Sequence, residues 1–280
     1  MIPLYTFTGT GNCRVLADEL CRLLPGGQVF SMTEPASLPP EGIQAAALVF
    51  PVYYGGLPRA VFRFLRDFQA PTGVPLFAVA AYAYHPGAAL VQVRDALARR
   101  GLSLAGGYCL QTPQTFQPGK TPAAPEQSAA LWRVLREKKI PALAEEIRGV
   151  LAGERTAPPF PCGSAEGREK NRAFRILLPR LCKDFTANDR CLSCGRCAVF
   201  CPTENIRIRD GRPSWGGDCE LCFACLSACP AHAIAWRGQG GEPRPFLHPD
   251  YRPPSKIARL RRRRRAAASA EPGKRREADR

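Results

Sequence analysis

Eight of the thirteen cysteines fall into two copies of one pattern, CLSCGRCAVFCP at residues 191–202 and CELCFACLSACP at residues 219–230. Each copy reads C-x2-C-x2-C-x3-C-P. Three thiolates so spaced take three irons of a cubane [4Fe-4S] centre, and the fourth cysteine of each run reaches the other cubane. The spacing therefore assigns one cluster to Cys191, Cys194, Cys197 and Cys229, and a second to Cys219, Cys222, Cys225 and Cys201. Pro202 and Pro230 fix the turn that leads each fourth thiolate away from its own triplet. A zinc site would need two CxxC pairs rather than an overlapping triplet, and a two-residue separation strains a disulfide.

A second candidate is the loop TFTGTGNC at residues 6–13, between a strand-like run and a helical one. Small residues there let backbone N–H groups and hydroxyls, from Thr8, Gly9, Thr10, Gly11 and Asn12, close around a phosphate at the positive end of the following helix. No Walker-type lysine follows and the pattern G-x-G-x-x-G is absent. Two later loops, PVYYGGLP at 51–58 and AYAYHPG at 81–87, set aromatic rings beside glycines, which suits a flat heterocycle.

The elements that must position these groups follow from periodicity. Apolar runs at residues 2–7, 28–32, 46–52, 75–81 and 104–111 alternate with helical patterns over 12–24, 58–68, 87–100 and 125–151, the pattern of a doubly wound parallel sheet of five strands. Residues 154–183, rich in proline and basic residues, read as a linker with one short helix at 173–181. Residues 184–238 hold the duplicated run; CPTENIRI aligns with CPAHAIAW at a period of 28 residues, placing Ile206 and Ile234 at equivalent positions. Two copies of one unit packed about a pseudo-twofold axis are expected. Residues 239–280, dominated by glycine, proline and arginine, bury too little to fold alone.

The formal charge is +16, but eleven basic residues against three acidic ones lie in residues 256–280, so half the excess sits in that tail. No aromatic residue is interleaved with the arginines at 261–280, which argues against stacking on nucleic acid and for a flexible solvated tail, with an unknown redox protein as the expected partner and docking to an acidic one left open. The longest apolar stretch, residues 45–54, is too short for a membrane span. No charged leader precedes an apolar run at the start, and an odd cysteine count in a long regular chain fits a reducing compartment. A soluble, cytoplasmic protein is expected.

Over about residues 1–237 the chain resembles the flavodoxin-ferredoxin fusion proteins of anaerobic bacteria and archaea, with a flavodoxin-like domain at 1–153 and a bacterial-type two-cluster ferredoxin domain at 184–238. The resemblance implies an α/β sheet in the order 2-1-3-4-5 beside a small α+β domain. It implies FMN, its phosphate held by Thr6, Thr8, Gly9, Thr10, Gly11 and Asn12, and its ring set among Tyr53, Tyr54, Gly55, Gly56, Tyr82, Tyr84 and Gly87. The loop TPQTF, from Thr112 to Phe116, would complete the pocket. Cys13 stands where such loops carry Ser or Thr, and packing in the first helical turn accounts for it. A flavin takes one electron or two and each cluster takes one, so the expected activity is an electron carrier or a flavin/iron–sulfur oxidoreductase needing no acid–base dyad. Two other readings stay open: a flavin-dependent reductase of a small molecule fed by its own cluster domain, and a zinc-stabilised nucleic-acid-binding protein. His85, His232, Trp215, Trp236, Cys21, Cys109, Cys162 and Cys182 are given packing or surface roles.

Overall fold

The apolar runs show little polar alternation because the strands they form are covered on both faces. In this computed structural model, which describes residues 1–34, 42–115, 123–157, 164–237, 239–240 and 246–253, β1 (Ile2–Thr6), β2 (Gly27–Ser31), β3 (Ala46–Pro51), β4 (Leu76–Tyr82) and β5 (Leu104–Gln111) form one parallel sheet in the order β2-β1-β3-β4-β5. This is the flavodoxin-like order. Successive side chains turn to opposite faces. Val49 and Phe77 pack with Leu16 and Leu20 of α1 (Asn12–Leu23), whereas Leu48 and Phe50 pack with Val61 and Leu65 of α2 (Arg59–Asp67) and Val93 and Leu97 of α3 (Ala89–Ala98). The pattern at 125–151 is α4 (Pro125–Val134) and α5 (Ile140–Leu151) joined by a π-helical stretch, Leu135–Lys139. The stretch ends just before Pro141, whose missing N–H and bulky ring interrupt an α-helical ladder.

The linker is more structured than its composition suggests. Instead of a short helix at 173–181, α6 spans Ala165–Leu181, its first turn capped by Ser164, whose hydroxyl accepts the Gly167 N–H at 2.9 Å. Gly167, Asn171, Phe174 and Leu178 lie on its buried face. That face carries little apolar bulk in its first half, so its hydrophobic period is weak there.

The 28-residue repeat is visible in the backbone of the C-terminal module. Helix α7 (Arg196–Phe200) corresponds to α8 (Ala224–Ala228), and β7 (Ile206–Arg209) to β9 (Ile234–Trp236). Left-handed backbone recurs at Ser193 and Leu221, at Gly195 and Phe223, and at Glu204 and His232. Phe223 adopts at φ 57° what Gly195 adopts at φ 70°, a conformation that costs a side-chain-bearing residue about 1–2 kcal/mol. Its ring is held by Phe185 and Trp236, with centroids at 5.9 and 5.7 Å. Strand β6 (Phe185–Ala187) pairs with β9, β9 pairs with β10 (Gln239–Gly240), and β7 forms a hairpin with β8 (Arg212–Trp215).

The stretch after Gly238 also departs from expectation. Residues 246–253 pack as a strap, with His248 and Tyr251 buried. The His248 N–H donates to Thr10 O at 2.9 Å, and Tyr251 joins Phe200, Ala224 and Ala228 in the same core cluster as Leu16. Aromatic and apolar side chains between the prolines supply the burial that composition alone conceals. Residues 241–245 and the arginine-rich 254–280 lie outside the described residues, as do Phe116 and Cys162.

Candidate functional site

Each triplet of cysteines is strung along a loop that ends in the first turn of α7 or α8, and each fourth cysteine follows the helix. Cys191, Cys194, Cys197 and Cys229 line a single cavity. Burial pushes the Cys197 thiol up to about 11, and the neighbouring Cys194, Cys229 and Cys191 push it the same way. Cys222 is likewise raised, first by burial and then by Cys201 and Cys219. Grouped thiols with mutually raised pKa values are unfavourable as free thiolates, and bound iron inverts that penalty. The first crossed set named from the spacing thus lines one cavity, and Cys201 and Cys219 stand near enough to Cys222 to act on its thiol.

Backbone donors point at the sulfurs. Asn205 N–H lies 3.2 Å from Cys201 Sγ and Ala233 N–H 3.3 Å from Cys229 Sγ, the same i+4 contact in the two repeats, and Leu221 N–H lies 3.3 Å from Cys219 Sγ. The indole N–H of Trp215 is buried without a conventional acceptor and stands beside Cys225, whose thiolate form it favours. Such donors fit cluster-bound thiolates and tune their potential. Among the described residues no three Cys, His, Asp or Glu side chains converge closely enough to hold one metal ion.

The two sets differ in exposure. Cys194 is exposed and its neighbour Leu192 is 67% exposed, while Cys201, Cys219 and Cys225 are buried. The second set faces the parallel sheet. Glu220, whose side chain is fully buried, accepts the N–H groups of Arg59 at 2.9 Å and Ala60 at 2.7 Å in the first turn of α2. Arg59 also donates to Cys219 O at 2.8 Å, and Arg63 pairs with Asp218 at 2.8 Å. A carboxylate at a helix N-terminus is favourable, so Glu220 pins the Cys219–Cys222 loop to the sheet's carboxyl edge. Cys182 lies beside it: its thiol donates to Leu178 O at 2.8 Å.

That edge is where a nucleotide was expected, and it is covered by the chain itself. A Cβ placed on Gly9 would lie 2.6 Å from Cys222 Cβ and 2.8 Å from Tyr53 Oη; one on Gly11 would meet Tyr251 Cγ at 2.6 Å and His248 Cβ at 2.9 Å. A Cβ on Gly55 would lie 3.0 Å from Gly167 Cα, and one on Gly56 would lie 2.8 Å from Asn171 Cβ. Tyr54 stacks on Phe174 at 3.9 Å. The loops also bond to themselves and to each other: Gly11 N–H to Thr8 Oγ1 (3.1 Å), Asn12 Nδ2 to Pro113 O (2.9 Å), Ala88 N–H to Gly55 O (2.7 Å) and Thr112 N–H to Tyr82 O (2.8 Å). Thr6, Thr10 and Asn12 are 4%, 4% and 7% exposed with no ligand present. Tyr84 is half exposed and hydrogen-bonds Gln114, Tyr82 is partly buried, and Gly87 contacts Gly55 O. In this arrangement polypeptide rather than open space lies against Gly9, Gly11 and Gly56, which is a poor fit for FMN. A cleft of about 1230 Å³ lies elsewhere, between α4, the cysteine module and the strap. None of the residues expected to hold the nucleotide lines it. Cys13 is buried in the first turn of α1 and its thiol is pushed up by burial.

Residues 183–230 match the 4Fe-4S dicluster domain family. That match covers the C-terminal module alone, and its union with a flavodoxin-like sheet supports a redox role. No curated relative matches the chain. Among solved structures, the chain is similar to a flavodoxin from the domain Archaea (13% identity, 51% of this chain and 98% of that one, TM-score 0.34). It is also similar to a Fusobacterium nucleatum flavodoxin bound to flavin mononucleotide (18%, 52% and 96%, TM-score 0.36) and to a Streptococcus pneumoniae TIGR4 flavodoxin (16%, 55% and 98%, TM-score 0.34). Among the described residues no helix is long and apolar enough to cross a membrane. Besides the cysteines, Glu220, Asn171, Phe174 and Tyr251 hold the dicluster domain in place, none of them singled out by residue type or spacing.

Proposed function

We propose that the chain is a one-electron carrier whose eight cysteines hold two [4Fe-4S] clusters, one on Cys191, Cys194, Cys197 and Cys229 and one on Cys219, Cys222, Cys225 and Cys201. The observation that carries this is the single cavity lined by Cys191, Cys194, Cys197 and the distant Cys229. Each cluster, when bound, supplies a one-electron couple. The protein's part is to hold the thiolates, to aim the Asn205, Leu221 and Ala233 N–H groups at sulfur, and to keep water from the second set.

Cys194 and Leu192 bring the first set to the surface, where Arg190, Arg196, Arg207, Arg209 and Arg212 are exposed. This basic rim favours an acidic redox protein as partner. The free thiols of the described cysteines suit a reducing, cytoplasmic setting. FMN, the second cofactor implied by resemblance, is assigned no step because its loops are covered.

Anaerobic purification followed by iron, sulfide, zinc and flavin analysis tests the reading. About eight irons and eight sulfides per chain are expected for two cubanes. Zinc without sulfide in a folded, colourless protein would sink it.

A further inference from the structure

We infer that the carboxyl-edge loops of the flavodoxin-like domain are a socket for the chain's own dicluster domain, helix α6 and C-terminal strap, and that the folded protein takes up no FMN.

The glycines of these loops are needed for close approach, but what approaches is polypeptide. Between Gly9 and Cys222 there is less room than one methyl group needs, since real Cβ contacts are almost never below 3.0 Å. Cys222 and the Tyr53 hydroxyl therefore occupy that side of the loop while the module is docked. The same holds at Gly11 beneath Tyr251 and at Gly56 beneath Asn171.

Burial makes the same point independently. Thr6, Thr10 and Asn12 are buried beneath the docked chain, with the Thr6 hydroxyl left without a hydrogen-bond partner among the described residues. Asn12 is fully engaged: its amide donates to Pro113 O and its carbonyl accepts the Trp132 indole N–H at 3.3 Å. Thr10 O accepts the strap's His248 N–H.

The ring side is plugged by a polar key rather than a loose contact. Asn171 is completely buried, donating to Tyr53 O at 2.9 Å and Leu57 O at 3.1 Å and accepting from Gln92 Nε2 at 3.2 Å. Those carbonyls belong to the loop expected to flank the ring. Phe174 lies flat on Tyr54, in the role a stacked heterocycle would have. The second cysteine set is thereby seated against the N-terminus of α1, in place of the anion such a terminus attracts.

The inference rests on the reading that Cys222 is a cluster ligand only for its second test. First, the full-length, cluster-loaded protein is titrated with FMN while flavin fluorescence is followed, and acid-released flavin is measured in the protein as purified. No saturable quenching and no stoichiometric flavin are expected. Stoichiometric FMN or saturable binding overturns the inference, whatever the iron content.

Second, Gly9→Ala pushes a methyl group into Cys222. The expected result is loss of about half the iron, or a changed EPR signal from one of the two clusters. Full iron with an unchanged spectrum overturns the inference. The wild-type titration stands even if the variant fails to fold, and iron-free but folded wild-type protein would instead defeat the proposed cluster ligation.

Discussion

Asn171 offers the sharpest handle on the plugged edge. Truncation to alanine removes both of its donors and its acceptor. Tyr53 O keeps a partner, the Gly56 N–H at 3.1 Å, but Leu57 O and Gln92 Nε2 lose theirs. Arg175, which also donates to Asn171 at 3.1 Å, is only partly buried and turns to water. Two buried polar groups left unsatisfied at about 2 kcal/mol each give a loss of about 4 kcal/mol. For a chain of this size, where 1 kcal/mol moves the midpoint by about 2–4 °C, the melting temperature should fall by about 8–16 °C. Circular dichroism on the anaerobic, cluster-loaded protein reads this directly. Asn171→Leu keeps the volume but not the bonds and should lose a similar amount, separating hydrogen bonding from packing. Ile176→Ala, on the outer face of α6 at 69% exposure, should stay within about 0.5 kcal/mol of wild type. An Asn171→Ala protein that melts with the Ile176→Ala control would mean the side chain is solvated and the edge open, refuting the reasoning.

Crossed ligation predicts that Cys229→Ser disturbs the cluster held by Cys191, Cys194 and Cys197 rather than the one beside it in sequence; Cys201→Ser should do the converse, which EPR of the two single variants resolves. Glu220→Ala strips the acceptor from the first turn of α2 and should cost about 3 kcal/mol, read as an increase of about 100-fold in hydrogen exchange at the Arg59 and Ala60 amides; unchanged exchange would show that the module does not depend on this clamp. Burial holds the His248 imidazole down to about 4, below its ordinary 6.5, with Asp250 and Glu19 pulling it up and Arg136 down. The folded chain therefore binds this proton less readily than the unfolded one. The strap's contribution is intact above pH 6.5 and is lost as pH falls toward 4, by at most about 3 kcal/mol. Exchange at the Tyr251 amide, which bonds His248 O, should rise over that window beyond its intrinsic rate, and His248→Leu should remove the step.

The sheet was legible because its strands are apolar at nearly every position, and the module because eight cysteines and a 28-residue period leave little freedom. Helix α6 was legible only in its second half. Its buried face runs Gly167, Asn171, Phe174, Leu178, and the first two carry no apolar signal, since one is there for closeness and the other for its hydrogen bonds. The strap was hidden in the same way, with Phe246, Leu247 and Tyr251 diluted by prolines. The loop glycines report that something must come close to the backbone without saying what, so TFTGTGNC reads equally as a phosphate cradle and as a seat for Cys222 and Tyr251. Tyr53 shows the limit: read as a wall of a ring pocket, it is partly buried, with its hydroxyl against Gly9 and its ring edge against Phe7.

Closure of the edge by residues 165–253 also sets an order of events during synthesis. At about 5–20 residues per second, roughly ten seconds separate the emergence of the first 153 residues from that of the strap. The sheet, which folds within milliseconds to seconds, must spend most of that interval with its carboxyl end bare. The nascent chain is therefore expected to carry a nucleotide-shaped opening that the finished one lacks. Pulse proteolysis during cell-free synthesis would show this as transient cleavage at the 53–57 loop that disappears once residues 246–253 are released. Persistent cleavage in the completed chain would show that the seat is never filled.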